Sequence, residues 1–159
     1  MEIEKKYLVK EIPFDLENFQ KCEMVQGYIH TDPVIRVRSE DGEGVLTIKG
    51  KGEIARKEFE LPLTKEQFDG LWKKIDPRCI PVCKTRYFIP LGGGLTAELD
   101  IYHAELEGLL TVEVEFESME RAEGFTPPDW FGEEVSLDSR YKNSALAFKG
   151  KPDFSRESR

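Results

Sequence analysis

Charged residues spaced two apart recur along this chain, and their types could do chemistry. Glu2, Glu4 and Lys6 form the first set, and Arg36 with Arg38 follows the same spacing. Four later segments repeat it: Arg56, Glu58 and Glu60; Lys84 and Arg86; Glu98 and Asp100; and Glu113, Glu115 and Glu117. Side chains two residues apart on a β-strand point to one face of the sheet. Six such strands would form a surface that holds an anion with its basic groups and a metal with its acidic groups.

Composition narrows the class of protein. A chain of 159 residues and 18.3 kDa fits one domain, which we place at residues 1–150, followed by a polar tail at 151–159. The net charge of −8 argues against a general nucleic-acid binder. We find no apolar targeting segment and no apolar run long enough to cross a bilayer. Three cysteines without zinc-site spacing indicate reduced thiols in a cytoplasmic protein.

The elements that carry these charged faces are predicted to be strands joined by short turns, and therefore antiparallel. Eight strands are predicted, at 2–9, 22–30, 34–40, 45–50, 54–61, 79–90, 95–103 and 110–118. Helical segments are predicted at 13–20, 65–75, 119–124 and 139–148. Thr64 and Gln67 have the spacing of a capping box at the start of the second helix.

Two architectures fit this periodicity. In a β-sandwich the charged faces would be exposed, and apolar residues such as Ile35, Val37 and Val114 would form the core. In a closed barrel the charges would point inward, since about eight strands enclose enough space for side chains or one small ligand. Buried charges cost several kcal/mol each unless they are paired or bound to ions. Seven basic and nine acidic residues on the charged faces could supply such pairing. Periodicity alone leaves both architectures open.

Short segments along the chain resemble the CYTH superfamily, the triphosphate tunnel metalloenzymes. The opening Glu2-Ile3-Glu4-Lys5-Lys6 is similar to the ExExK signature of that family. The family order continues in QGYI at 26–29, IRVR at 35–38, LTIKG at 46–50, RKEFEL at 56–61, KTRY at 84–87, ELD at 98–100, VEVEFES at 112–118 and RYKNSALA at 140–147. The resemblance implies a mainly β fold with peripheral helices: a closed, eight-stranded antiparallel tunnel with its charges inside.

The resemblance also implies a metal site and an anion site. Glu2 and Glu4, together with Glu113 and Glu115, would bind Mg²⁺ or Mn²⁺, since hard cations prefer carboxylate oxygens. The implied phosphate-binding residues are Lys6, Arg36, Arg38, Lys49 and Arg86. Arginine suits bidentate phosphate binding, whereas lysine acts as a point charge.

Four further residues receive roles by the same resemblance. Glu58 and Glu60 would orient basic residues or hold a second metal, and Asp100 would be a weaker metal or orienting group. Lys84 would position or activate the attacking water. Without the resemblance Lys84 would be read as a surface lysine, because lysine is rarely buried.

Other polar residues are predicted to be structural. Arg56, Glu98 and Glu117 are assigned to ion pairing or packing, because buried charges need partners. Tyr141 and Asn143 are expected to anchor the last helix. The sequence does not orient Arg140 and Lys142.

The activity that the resemblance implies is metal-dependent hydrolysis of a triphosphate, most simply inorganic tripolyphosphate to pyrophosphate and phosphate. Alternatives within the family are a class IV adenylate cyclase and a thiamine or nucleoside triphosphatase. A triphosphate or polyphosphate sensor without turnover is the non-enzyme alternative, although anion binding alone needs no metal ligands. Outward-facing apolar residues on the barrel wall also predict a homodimer.

Overall fold

The computed structural model describes residues 1–152 as ten β-strands with three short α-helices. The strands are β1 (Glu2–Val9), β2 (Gln20–Thr31), β3 (Val34–Glu40), β4 (Glu43–Lys49), β5 (Ala55–Arg56), β6 (Glu58–Leu63), β7 (Val82–Gly92), β8 (Leu95–Tyr102), β9 (Leu110–Glu115) and β10 (Phe131–Glu134). The helices are α1 (Lys65–Trp72), α2 (Met119–Glu123) and α3 (Asn143–Lys149). Most of the predicted polar tail, from residue 153 onward, lies outside the described residues.

The strands form a closed antiparallel barrel, which confirms the fold that the family resemblance implied. Their order is β10-β1-β9-β8-β7-β2-β3-β4-β6, and β5 returns to pair with β1 through Glu2 with Arg56 and Ile3 with Ala55. Only Lys57 separates β5 from β6, so the predicted strand 54–61 is a single wall element broken in two. Its first part pairs with β1 and its second part with β4, and the chain breaks where it changes partner. When β5 and β6 are counted together, eight strands form the barrel wall. The additional strand β10 was not predicted from the sequence.

The main apolar core lies outside the barrel wall. Alternate residues of β1, β8 and β9 face outward and are buried, among them Tyr7, Leu99 and Val112. They are covered by the chain between α2 and β10, where Trp130 and Phe131 pack edge to face. Because the apolar face is covered here, the charged face must point into the barrel, and the sandwich alternative is excluded.

Helix α1 covers a second part of the wall. Thr64 and Gln67 form the predicted capping box, and α1 packs against β3 and β4. Its Phe68 ring lies 2.9 Å from where a Cβ on Gly44 would be, so this approach requires glycine. Val37, on the outward face of β3, is fully buried. The helix is shorter than the predicted range 65–75.

The remaining helical predictions are confirmed in part. Helix α2 ends at Gly124 as expected, whereas the segment 13–20 forms only a 3₁₀ turn at Leu16–Asn18. The predicted last helix is divided into a 3₁₀ turn at Ser139–Tyr141 and α3, because Lys142 is extended between them. Within residues 1–152, no helix has the length and apolar character needed to span a membrane.

A second apolar cluster lies at one end of the barrel, beneath α3. Tyr28, Tyr102 and Tyr141 are buried there against Leu146. Helix α3 packs on β2 and β7. The barrel interior is therefore filled by apolar side chains at the α3 end and lined by charged side chains elsewhere.

Candidate active site

The charged faces enclose a cavity of about 170 Å³ inside the barrel. Sites for drug-sized ligands are larger, about 300–1,000 Å³, so this volume favours a compact ligand. Thirteen of its lining residues carry charges that the two-residue spacing or the resemblance had singled out: Glu2, Glu4, Lys6, Arg36, Arg38, Lys49, Arg56, Glu58, Glu60, Arg86, Glu98, Glu113 and Glu115.

The structure thus brings together eleven of the thirteen proposed site residues. The other two, Lys84 and Asp100, are fully buried and do not line the cavity. Arg56 and Glu98, which were assigned to pairing, line the cavity and also form ion pairs. Glu117 is exposed and lies beyond the end of β9.

Lys84 and Asp100 belong to an ion network behind the lining. The Lys84 Nζ lies 2.8 Å from Oδ2 of Asp100, and Arg86 donates to both Asp100 oxygens at 2.8 and 2.9 Å. Arg86 also approaches Glu113, with 3.9 Å between Nη2 and Oε1. Burial, together with the charge of Arg86, lowers the pKa of Lys84 to about 8 despite the opposing charge of Asp100. Without the family resemblance, Lys84 was expected to be a surface lysine, and that expectation is wrong. Its charge is compensated by the carboxylates of Asp100 and Glu113.

Four carboxylates, those of Glu2, Glu4, Glu113 and Glu115, line the cavity where β1 and β9 pair. Glu4 is opposite Glu115 and Lys6 is opposite Glu113 in the antiparallel register. Burial and the negative charges of Glu113 and Glu2 raise the pKa of Glu4 well above its usual range. Although burial acts to raise the pKa of Glu113, the charges of Lys6 and Arg86 hold it well below its usual range. The pKa values of these two neighbouring carboxyl groups are therefore shifted in opposite directions.

Two further carboxylates lie near the closure of the barrel. Burial raises the pKa of Glu58 to about 7, with the neighbouring Glu60 and Glu2 contributing and Lys49 opposing. Glu2 accepts from Lys49 at 3.0 Å and from Arg56 at 3.2 Å. Burial acts against its ionisation, but these cations lower the pKa of Glu2.

The donor set suits a divalent cation that is bound together with an anionic ligand. Within the described 152 residues, no three His, Cys, Asp or Glu side chains come together closely enough to form a complete protein cage. Mg²⁺ is usually held by only one or two carboxylates plus waters and substrate phosphates. The neighbouring carboxyl groups of Glu4 and Glu113 fit that requirement, with Glu2 and Glu115 on the same strands.

The opposite wall of the cavity is basic and is less neutralised. Arg36 is buried, and its Nη2 donates to the Thr47 hydroxyl at 3.4 Å. Arg36 forms no ion pair with a carboxylate of residues 1–152. The Nε atoms of Arg36 and Arg38 are both buried without a hydrogen-bond partner in this part of the chain. Since buried donors normally find partners, these guanidinium groups are suited to an anion.

Residues without a predicted role also line the cavity. Tyr28 is on β2, two residues after the buried Gln26, whose Nε2 donates to the Tyr28 hydroxyl at 3.2 Å. The alternation along β2 would have placed both inside, but neither carries a charge that draws attention. Ser136 follows the unpredicted β10, and its hydroxyl accepts from the Lys6 backbone at 3.0 Å. Lys142, left unoriented by the sequence, points into the same cavity.

Tyr141 and Asn143 both hold α3 in place and line the cavity. Asn143 accepts from the Tyr102 hydroxyl at 3.0 Å, which confirms an anchoring contact for α3. The Tyr141 carbonyl accepts from Lys6 Nζ at 2.8 Å. Both residues also line the cavity, so the expectation that they only anchor the helix was too narrow.

A closed antiparallel barrel whose interior is lined by carboxylates and buried guanidinium groups defines the triphosphate-tunnel class, the CYTH superfamily. Comparison with known proteins agrees. An inorganic triphosphatase from Nitrosomonas europaea is 42% identical over 149 residues, which cover 92% of this chain and 96% of the relative. An inorganic triphosphatase from Acetivibrio thermocellus is 34% identical, with 91% and 92% covered.

Structural comparison gives the same result. A crystal structure of an inorganic triphosphatase matches with a TM-score of 0.68 and 39% identity, and covers 96% of this chain and 97% of its own. No family profile matches the chain. The sequence identity to these two triphosphatases over nearly their full length nevertheless shows the family. The chain belongs to the inorganic triphosphatases of the CYTH superfamily.

Proposed function

We propose that this protein hydrolyses inorganic tripolyphosphate to pyrophosphate and phosphate inside the barrel. The observation that carries the proposal is the pair of buried guanidinium groups of Arg36 and Arg38, which face the carboxylates of β1 and β9 across a cavity of about 170 Å³. The triphosphatase relatives support the same reaction. A water oxygen bonds to the terminal phosphorus, the bridging P–O bond breaks, and pyrophosphate leaves.

Hydrolysis of this kind depends mainly on positioning and charge neutralisation. Arg36, Arg38 and Lys49 would bind the phosphate chain on one wall, and Lys6 and Arg86 would bind it on the other. Glu4 and Glu113, with Glu2 and Glu115, would hold Mg²⁺ or Mn²⁺, which neutralises phosphate charge when bound. Glu58 and Glu60 would orient Lys49 and Arg56 or hold a second cation.

Lys84 lies behind the cavity lining, so we propose that it accepts the proton of the attacking water indirectly, through groups that line the cavity, with Asp100 as its orienting partner. Its pKa of about 8 makes the neutral amine accessible near physiological pH. We expect kcat to increase as the pH rises through about 8 or slightly above, because a bound anion raises the pKa of a nearby ammonium. A pH–rate profile of wild type and Lys84→Arg tests this, since arginine stays protonated. If kcat of Lys84→Arg still increased over the same pH range, Lys84 would be excluded as the base.

The direct test of the proposed function is phosphate release from tripolyphosphate, ATP and thiamine triphosphate with Mg²⁺ or Mn²⁺. We expect tripolyphosphate to have the highest kcat/KM and no release without a divalent metal. Faster turnover of ATP or thiamine triphosphate would assign an organic substrate to the same site. Binding of tripolyphosphate without release at any metal concentration would indicate a sensor.

Removal of the unpaired Arg36 separates ligand binding from folding. We expect Arg36→Gln to raise KM for tripolyphosphate at least about tenfold, because charge-assisted contacts to phosphate are lost. The ligand-free variant should be at least as stable as wild type, since Arg36 is a like charge beside Arg38 and Lys49. The matched Arg56→Gln variant should instead lower the Tm, because it removes a partner of Glu2. An unchanged KM in Arg36→Gln would contradict the assignment.

Assembly and location complete the proposal. We infer a single domain at 1–150, a cytoplasmic location consistent with three unbridged cysteines, and no nucleic-acid partner for a chain of net charge −8. Helix α1 covers part of the wall that was expected to need a partner. Phe59 and Leu61 on β6 nevertheless stay 57% and 44% exposed.

We therefore propose a homodimer that buries the exposed β6 surface. Light scattering at micromolar concentration should give twice the chain mass for wild type. Phe59→Glu with Leu61→Glu should give the monomer mass, because introduced like charges would oppose association. A monomeric wild type would contradict the proposal.

A further inference from the structure

The first residue of α3, Asn143, connects the barrel wall with the cavity. Its Oδ1 accepts from the hydroxyl of the buried Tyr102 at 3.0 Å, and Asn143 itself is half-buried and lines the cavity. One end of the Asn143 amide is therefore bound to the wall, and the other end is left for a ligand.

A chain of hydrogen bonds determines which way this amide points. The Tyr102 hydroxyl also lies 3.3 Å from Oγ1 of Thr111, which is fully buried. The Thr111 hydroxyl has no other hydrogen-bond partner within residues 1–152, so its proton is satisfied only if Thr111 donates to Tyr102. Tyr102 then donates to Oδ1 of Asn143, and Nδ2 carries two protons on the other side of the amide.

The nitrogen of the Asn143 amide is open to the cavity. Nδ2 donates to no acceptor within residues 1–152, and unlike the Nε atoms of Arg36 and Arg38 it is not enclosed by protein. Because Asn143 lines the cavity, this accessible nitrogen faces the space where the ligand binds. Asn143 thus presents N–H donors to the ligand without adding a charge.

Tyr102 is fixed firmly enough to orient the amide. It pairs with Lys84 across β7 and β8, and its ring centroid lies 5.5 Å from Lys84 Nζ. Its side chain is buried in the apolar cluster beneath α3, and its hydroxyl is hydrogen-bonded to Thr111 and Asn143. A donor held in this way is preorganised, so little entropy is lost when it binds a ligand.

Lys6 brings an ammonium group to the same end of the cavity. Its Nζ donates at 2.8 Å to the carbonyl of Tyr141, two residues before Asn143, and lies 3.4 Å from Oε1 of Glu113. A phosphate group bound by Lys6 would therefore lie beside the Asn143 amide. Hydrogen bonds to ionised oxygens are about twice as strong as those between neutral groups, so one amide here is enough to change the affinity.

We propose that Asn143 binds the substrate, with Nδ2 donating to a non-bridging oxygen of the phosphate group that Lys6 holds, and that Tyr102 is a positioning residue that orients this amide. The proposal rests on the proposed function, because it adds a contact to the same substrate in the same cavity. Neither side chain is charged, so the charge spacing of the sequence did not assign either of them to ligand binding.

The test compares Asn143→Leu with the double variant Tyr102→Phe and Asn143→Leu. The single variant removes the donor and leaves the buried Tyr102 hydroxyl without its acceptor, so the Tm should fall. The double variant removes both partners and should recover part of the Tm, because losing a whole pair costs less than losing half of it. Asn18→Leu is the matched control, since Asn18 is exposed and lies away from the cavity.

Kd for tripolyphosphate is measured by calorimetry without divalent metal, and KM and kcat are measured from phosphate release with Mg²⁺. We expect Asn143→Leu and the double variant to raise Kd and KM equally, by about tenfold, the effect of one charge-assisted hydrogen bond. The kcat should change less than threefold, because the contact is present before and during the reaction. Tyr102→Phe alone should raise Kd about threefold and add nothing when Asn143 is already replaced. Asn18→Leu should match wild type.

Asn143→Asp tests the contact without loss of the hydrogen bond from Tyr102. The carboxylate keeps an acceptor for Tyr102 and replaces the donor with a second oxygen, so Kd should rise more than in Asn143→Leu. A Kd of Asn143→Leu within twofold of wild type, or a Kd that recovers together with the Tm in the double variant, would overturn the proposal. Absence of phosphate release by wild type would instead overturn the proposed function, and the Kd series would still decide the role of Asn143.

Discussion

Glu4→Gln should lower kcat for tripolyphosphate by about a hundred- to a thousandfold while the protein remains folded. Loss of one preorganised charge contact to the reacting phosphate costs about this factor. Glu4 lines the cavity beside Glu113, and the amide has nearly the same shape but cannot supply a negative oxygen to a cation. Phosphate release with Mg²⁺ or Mn²⁺ measures the loss.

Stability should change in the opposite direction from activity in this variant. The folded-state pKa of Glu4 is raised, so the folded, metal-free protein binds more protons than the unfolded chain above the ordinary glutamate pKa. Wild-type stability from this group is therefore lost as the pH rises through that window. Because glutamine cannot ionise, the Tm of Glu4→Gln should be equal to that of wild type at low pH and higher at neutral pH.

Glu117→Gln is the control for this experiment, because Glu117 is exposed and lies outside the cavity. It should retain wild-type kcat and Tm. Normal metal-dependent turnover in Glu4→Gln would show that the carboxylate cluster does not hold the catalytic metal.

Asp100→Ala should destabilise the protein by about 3–5 kcal/mol, the cost of leaving buried charges unpaired. Asp100 is completely buried and compensates both Lys84 and Arg86. For a domain of this size, a loss of this magnitude corresponds to a Tm lower by about 10 °C or more. Thermal unfolding followed by circular dichroism measures it.

Asp76 provides the matched comparison, because its partner is exposed. It also forms a bidentate interaction with an arginine, Arg78, but the side chain of Arg78 is 82% exposed. Asp76→Ala should therefore lower the Tm much less than Asp100→Ala does, because water screens an exposed pair. Equal losses for the two variants would show that the Lys84–Asp100–Arg86 network does not support the barrel.

Asp100→Ala should also affect the reaction, because Asp100 holds both nitrogens of Arg86 that face it. We expect a lower kcat even below the unfolding transition. Activity at a temperature where the variant is fully folded separates this effect from its lower stability.

Much of the fold could be predicted because it depends on local patterns. The two-residue spacing of Glu2, Glu4 and Lys6 requires one charged face per strand, and the Thr64–Gln67 box requires a helix start. Strand β10 and the division of the last helix at Lys142 could not be predicted. Tertiary hydrogen bonds to Lys6 lie next to both: Val135 donates to the Lys6 carbonyl, and the Tyr141 carbonyl accepts from Lys6 Nζ.

The sequence predicted most of the residues that form the site, but it did not predict how they are arranged. Charge type and spacing, with the family resemblance, select Arg36, Glu4 and Glu113 as cavity residues. Sequence could not place Lys84 and Asp100 behind the lining, because their depth depends on which neighbours compensate their charges. It also could not show that Lys142 lines the cavity.

The sequence by itself determined which residues alternate, and therefore that one face of the sheet is charged. The tertiary structure decided that this face points inward, because β5 pairs with β1 and the outer face is covered by α1 and the chain around Trp130. Alternation is a property of each strand, whereas closure depends on pairing between residues about fifty positions apart. That closure converts a charged face into a cavity where ions are desolvated, compensated and able to bind a phosphate chain.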